Sequence, residues 1–155
     1  MIRKARISEA LAIRDLINRF AQQGELLPLS LSEIYDRLRD FFVYLDDSPE
    51  NPSEIRGVCA LHFIWEDLAE IRSLAVHEDF RKKGIGSQLV NACLKEAGSM
   101  DVKRIFCLTY KKEFFSLQGF RQIDKSELPH KVWADCIKCS KFPDCSEIAM
   151  IYDHR

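Results

Sequence analysis

No apolar run in the 155-residue chain is long enough to cross a bilayer, and Met1-Ile2-Arg3-Lys4-Ala5-Arg6 enters a strand-like pattern directly instead of a signal peptide. Charge of one sign is also missing. The 23 Lys and Arg residues against 24 Asp and Glu leave a net charge of −1, which gives no overall pull on nucleic acid or an anionic membrane, so electrostatic recognition has to be local. There is no internal repeat, no low-complexity tract and no linker long enough to divide the chain, which predicts one domain over residues 1–155. Two nucleotide signatures fail as well. The P-loop pattern Gly-x4-Gly-Lys-Ser/Thr is absent, and Gly84-x-Gly86 has Leu89 where a dinucleotide fingerprint needs its third glycine.

What remains is the composition of an ordinary globular protein, 46% apolar and 30% charged. Six cysteines without a secretory signal predict a reducing, cytoplasmic setting in which thiols are free, metal-bound or reactive.

The most informative stretch runs from Glu70 to Ser87. Glu70 to Val76 alternates charged and apolar residues, which predicts a strand, and strict period-two alternation would put Glu70, Arg72, Leu74 and Val76 on one face. Arg81-Lys82-Lys83-Gly84-Ile85-Gly86-Ser87 follows and leads straight into a helical pattern. The first turn of a helix has backbone N–H groups without intrahelical partners and carries partial positive charge. Glycines let that backbone approach a pyrophosphate, and Arg81, Lys82 and Lys83 add attraction. The stretch therefore reads as an anion site; the plainer alternative is a charged turn before a surface helix.

In chain order, Ile2 to Ile7 reads as a strand, with Ser8 capping a helix whose Ile13, Leu16, Ile17 and Phe20 share a face. Gly24 stops that helix, and Ser30-x-x-Glu33 is a capping box for a second, with Ile34 and Leu38 buried. Phe41 to Leu45, Gly57 to Trp65 and Ala69 to Val76 are strands, the last two joined by Glu66-Asp67 as an antiparallel hairpin. Ile85, Leu89, Cys93 and Ala97 recur every four residues on a helix ending near Gly98. Lys103 to Leu108 is a strand parallel to the one before that helix, Lys111 to Gln118 a short helix, Phe120 to Asp124 a further strand, and Ser146 to Tyr152 closes the sheet.

Arg-x-x-Gly-x-Gly after a strand ending in Leu-Ala-Val, together with Phe114-Phe115-Ser116-Leu117-Gln118-Gly119-Phe120, resembles the two signatures of the GNAT N-acetyltransferase superfamily. The closer match is to the acetyltransferase domain of bacterial N-acetylglutamate synthase. It rests on Gly24-Glu25-Leu26-Leu27, Gly57-Val58-Cys59-Ala60-Leu61, Glu70 to Val76, Phe115 with Gly119-Phe120, and Glu127-Leu128-Pro129 before Lys131-Val132-Trp133. The resemblance implies an α+β (α/β) fold, a mixed, mostly antiparallel sheet flanked by helices, that splays between its fourth and fifth strands to take acetyl-CoA as co-substrate. It implies backbone contacts to pantetheine from Leu74, Ala75 and Val76, a pyrophosphate site at residues 82–87, and Phe115 bordering the far side of the coenzyme. No metal is needed for such a transfer. Homodimers are common in such families, but no residue here locates an interface.

The reaction the resemblance implies needs a neutral amine, a polarised carbonyl and a proton for the leaving thiolate. Glu70 is the candidate base and Arg72 a candidate ligand for a substrate carboxylate; an exposed strand-end ion pair is the plainer reading of the two. Where many members carry a Tyr as acid, this chain has Phe115, which leaves Thr109, Tyr110 and Ser116 as the nearby hydroxyls. The resemblance places one wall of the acceptor site at Glu25 to Leu29, between the two helices. Leu29 and Leu31 stand where the family often has arginines for glutamate, so Arg72 and Lys131 are the carboxylate ligands that remain. The acceptor is read as a small-molecule amine, an amino acid first. A polyamine, a drug, a protein N-terminus, or a coenzyme-binding sensor without transfer are the other readings.

Cys136-x2-Cys139-x5-Cys145 is not explained by the fold. Structural zinc takes four ligands, so His130 or His154 would have to join these three thiols; free thiols in a loop are the alternative. Cys59, Cys93 and Cys107 sit in apolar patterns and read as small core residues. His62 and His77 receive no role.

Overall fold

The computed structural model describes residues 1–48, 50, 54–129, 132 and 147–154. Among these residues, seven strands form one sheet: β1 (Ile2–Lys4), β2 (Phe41–Leu45), β3 (Ile55–Trp65), β4 (Leu68–Val76), β5 (Arg104–Thr109), β6 (Arg121–Ile123) and β7 (Ile148–Asp153). Their order is β1-β2-β3-β4-β5-β7-β6, antiparallel throughout except for the parallel pair β4–β5. The last strand does not close the sheet as expected. It inserts between β5 and β6, because β5 offers its whole free edge from Arg104 to Thr109 to a six-residue partner, whereas β6 has only three residues to pair.

Four helices among the described residues cover the sheet: α1 (Ala10–Ala21), α2 (Leu31–Asp36), α3 (Ile85–Ser99) and α4 (Lys112–Leu117). Ile13, Leu16, Ile17 and Phe20 form the buried face of α1, as their spacing requires. The first strand is shorter than expected and Ser8 is no cap: a 3₁₀ turn at Ile7–Glu9 intervenes, and Glu9 accepts from the Arg6 N–H at 2.7 Å. The Ser30 capping box forms as read, with the Glu33 N–H donating to Ser30 Oγ at 3.1 Å and the Ser30 N–H to Glu33 Oε1 at 3.2 Å.

One face of the sheet packs on α3 and α4 through Leu61, Ala69, Ile71, Leu89, Cys93, Ile105, Cys107, Phe115 and Met150. The opposite face carries two covers. Helices α1 and α2 lie over Val43, Val58, Ala60 and Ala75, and at the other end Ile123, Leu128 and Val132 pack on Leu68, Phe106 and Ile151.

Two irregularities in the β3–β4 hairpin decide what each face presents. Arg72 pairs with Ala60 and Ala75 with Val58, so Ser73 and Leu74 together oppose Cys59; Ser73 has a φ of 55°. Nearer the turn, Trp65 pairs with Leu68 and Phe63 with Ala69, which leaves Ile64 as the extra residue on β3.

Candidate active site

Strands β4 and β5 pair only at Leu68–Arg104, Ala69–Ile105 and Glu70–Phe106. Beyond Glu70 the two part, β4 running on to Val76 and β5 to Thr109, so the sheet forks with Glu70 at the apex. Parallel strands held by so few rungs, while each stays paired to its far end with its other neighbour, open a slot through the sheet. The expected splay is present.

The bulge corrects the expected face pattern. Glu70 and Arg72 share the face of Ala60, whereas Leu74 and Val76 pack on the α3 side; the extra residue at Ser73 breaks the period-two count. Thr109 follows Cys107 on the α3 side too, opposite Ile148. The candidate base and the candidate acid therefore lie on opposite faces of the sheet, with the fork between them.

Glu70 is buried, and its Oε1 accepts from Arg72 Nε at 2.5 Å. Its register partner on β3 is His62, whose Nδ1 lies 2.7 Å from Asp40 Oδ2 on the 3₁₀ turn Leu38–Asp40. The sequence reading gave His62 no role and did not single out Asp40. Counting back from a two-residue turn at Glu66-Asp67 puts Phe63 opposite Glu70, and only the bulge at Ile64 brings His62 there. Thr109 is buried and its Oγ1 accepts from the Lys111 N–H at 2.9 Å, an arrangement that leaves the hydroxyl proton for donation. Tyr110 is exposed just past the strand end, and Ser116 is exposed on α4.

The basic loop begins after a 3₁₀ turn at Glu78–Phe80. Lys82 has φ 64° and Gly84 φ 77°, so the chain turns through two left-handed residues into α3. Gly84 is the N-cap of α3 with no side-chain cap, and a Cβ placed there would meet nothing within 4 Å. The space on the Cβ side of Gly84 is thus unfilled, which leaves room for a phosphate group at the start of α3. Ile85 can contribute only its backbone, since its side chain is in the core. Ser87 Oγ accepts from Gln118 Nε2 at 2.9 Å and so ties α4 to this end of α3. Arg81 turns toward α1, its guanidinium 5.0 Å from the Phe20 ring and 4.0 Å from Glu25, and Lys83 lies over Phe80 at 4.9 Å.

Two expected contacts are corrected. Phe115 does not line the cleft: it is buried edge-on between Phe114 and Phe120, and it is the half-exposed Phe114 that reaches Gly86, its Cζ 3.3 Å from where a Cβ would stand. Leu29 is a core residue instead of a wall residue, because the Asn18 side chain bonds both its N–H at 3.2 Å and its carbonyl at 3.3 Å and turns the leucine inward. Leu27 is the exposed leucine of that segment. His154 is taken up structurally, its Nε2 2.6 Å from the Leu94 carbonyl. Lys131, His130, Cys136, Cys139 and Cys145 lie outside the described residues.

A mixed sheet that forks between two parallel strands, beside a left-handed glycine at a helix start, defines an acyltransferase fold. The acetyltransferase (GNAT) family profile matches residues 10–120, and the chain belongs to that family. It is 41% identical to an uncharacterized N-acetyltransferase of Chlorobaculum tepidum over 97% of this chain and 94% of that one. It is 33% identical to an amino-acid acetyltransferase of Mycobacterium tuberculosis over 86% and 75%. Among solved structures, a Mycobacterium tuberculosis protein in complex with CoA superposes with a TM-score of 0.83 at 28% identity, over 100% of this chain and 99% of that one. N-acetylglutamate synthase of Neisseria gonorrhoeae, complexed with coenzyme A and N-acetyl-glutamate, superposes with a TM-score of 0.87 at 25% identity, over 100% of this chain but 35% of that one.

Proposed function

We propose that this protein transfers an acetyl group from acetyl-CoA to the amine of a small acceptor, an amino acid, with Glu70 as the base. The observation that carries the reading is the position of Glu70 at the apex of the fork, on the face opposite Leu74 and Thr109. Acetyl-CoA supplies an activated thioester; the chain has to hold it, deprotonate the amine and protonate the thiolate.

The opening amides of α3, with Lys82, Lys83, Gly84, Gly86 and Ser87 around them, hold the pyrophosphate. The backbone of Leu74 to Val76 borders the fork and supplies donors for pantetheine and for the thioester oxygen. The acceptor comes from the Glu70 face. An incoming ammonium is attracted to the carboxylate and loses a proton to it, while the Arg72 guanidinium, fixed beside Glu70, draws a substrate carboxylate. The leaving sulfur departs toward the α3 side, where Thr109 is the buried hydroxyl at the fork, and Tyr110 follows it at the rim. The relatives named amino-acid acetyltransferases support an amino-acid acceptor.

The test is release of free thiol from acetyl-CoA against a panel of amino acids, glutamate and glutamine included, with polyamines as the contrast set. Turnover confined to amino acids supports the reading. Tight coenzyme binding without turnover on any amine would replace it with a coenzyme-binding sensor.

A further inference from the structure

Transfer of acetyl from a thioester to an ammonium releases one proton overall. The amine nitrogen bonds to the carbonyl carbon as the carbon–sulfur bond breaks; of the two protons the nitrogen loses, one ends on the thiol and the other must leave the site. Glu70 accepts that second proton under the function proposed above, and its position makes discharge difficult, since only 9% of its side chain is accessible. Arg72, which donates to the Glu70 carboxylate, is a cation and cannot accept a proton.

His62 stands directly across from Glu70 in the antiparallel register. Opposed residues of such a pair project to the same face with Cβ atoms about 5 Å apart, within reach of a carboxylate and an imidazole directly or through one water. The ring's orientation is fixed: Nδ1 lies 2.7 Å from Asp40 Oδ2, so in the neutral ring Nδ1 carries the proton and Nε2 carries the lone pair. His62 is 30% accessible and Asp40 21%, so the pair opens to solvent where Glu70 does not. The charged groups that face this histidine include, among the described residues, Asp40 from the 3₁₀ turn and Glu70 and Arg72 from β4.

We propose that His62, its ring held by Asp40, takes the acceptor's proton from Glu70 and passes it to solvent. The carboxylic acid of Glu70 gives its proton to Nε2, Asp40 stabilises the imidazolium that forms, and deprotonation by water restores the neutral ring and an ionised Glu70 for the next turnover. His62 acts through Glu70, and Asp40 positions it.

Two measurements test this on the full chain. In the coenzyme-free protein, long-range ¹H–¹⁵N spectra of neutral His62 should show a protonated Nδ1 and a bare Nε2; a protonated Nε2 would overturn the proposal without reference to activity. In steady-state assays, His62→Ala should lower kcat about 100-fold with KM for acetyl-CoA unchanged, and added imidazole should restore part of the rate. His62→Gln, which keeps an amide for Asp40 but cannot carry a proton, should be as slow as His62→Ala when its circular dichroism and melting match the wild type. If the wild type transfers acetyl and Glu70→Gln is slow while both His62 variants keep full kcat, the relay is wrong and the proposed function stands. If the wild type transfers to no amine, the proposed function falls instead.

Discussion

Arg72 and Leu74 stand two residues apart on β4 and face opposite sides of the sheet, because Ser73 between them adopts a φ of 55° and adds one residue to the strand. The bulge lets a single strand present Arg72, with Glu70, to one face and its next apolar pair to the other. A β-branched residue is strained at positive φ, so Ser73→Val should cost about 1–2 kcal/mol in urea unfolding and weaken coenzyme binding together with it. Ser73→Gly, which accepts that conformation freely, should stay within about 1 kcal/mol of wild type.

Glu70→Gln removes the carboxylate proposed as the base and keeps the size of the side chain. Turnover should fall about 100-fold while calorimetric affinity for coenzyme A is preserved. An unchanged rate would take Glu70 out of the chemistry.

Gly84 sits at φ 77° with open space around its missing Cβ, so a substitution there meets backbone strain without a clash. Gly84→Ala should destabilise the fold by about 1 kcal/mol, read from the urea midpoint, and weaken coenzyme A by crowding the amides that open α3.

Glu9 ties the chain's start to α1: Arg3 Nη1 and Nη2 donate to its two oxygens at 2.9 and 2.8 Å, and the Arg6 N–H to Oε1 at 2.7 Å. The hydrogen bonds from Arg3, first, and from the Arg6 backbone hold its carboxyl below the usual range, against the effect of burial. A lowered folded value means that this stabilisation is complete above the ordinary carboxylate range and is lost as pH falls through the lower folded value. Melting temperature should therefore drop on acidification below about pH 4, and Glu9→Gln should flatten that drop and cost about 1 kcal/mol at neutral pH. Asp46 and Asp124, each lowered chiefly by a backbone N–H two residues on, from Ser48 and Ser126, add to the slope in the same direction.

Cys59 and Cys93 are fully buried with their sulfurs 3.7 Å apart, and Cys107 is buried beside them in the same core. The hydrogen bond with Cys93 and burial raise the Cys59 thiol, and burial, then the negative charges of Glu70 and Glu147, raise that of Cys107. Burial keeps reagent from all three sulfurs, so an alkylating reagent at neutral pH should modify them only after unfolding, as peptide mass spectrometry with and without urea would show.

Most elements are legible without coordinates, since the apolar spacing of α1 and α3, the capping box at Ser30 and the strand from Phe41 to Leu45 are local facts. Glu70, the loop from Arg81 to Ser87 and the fork were likewise within reach, through the order of strand, basic glycine loop and helix together with the resemblance. The side chains around the site were harder. Phe114 and Phe115 are adjacent aromatics on one short helix, and packing against Phe120 decides which of them is buried. Asn18, on α1, turns Leu29 inward from the segment beyond that helix.

By itself the sequence determined the family, the periodic faces of the helices and the residue types able to hold a phosphate and take a proton. Which of those residues meet was decided only by tertiary structure. A single added residue in a strand exchanges its two faces, and no local preference at Ile64 or Ser73 announces the addition; pairing with neighbouring strands sets it. For that reason His62, assigned no role in the linear reading, stands opposite Glu70, and Leu74, expected beside Arg72, lies on the other face of the sheet.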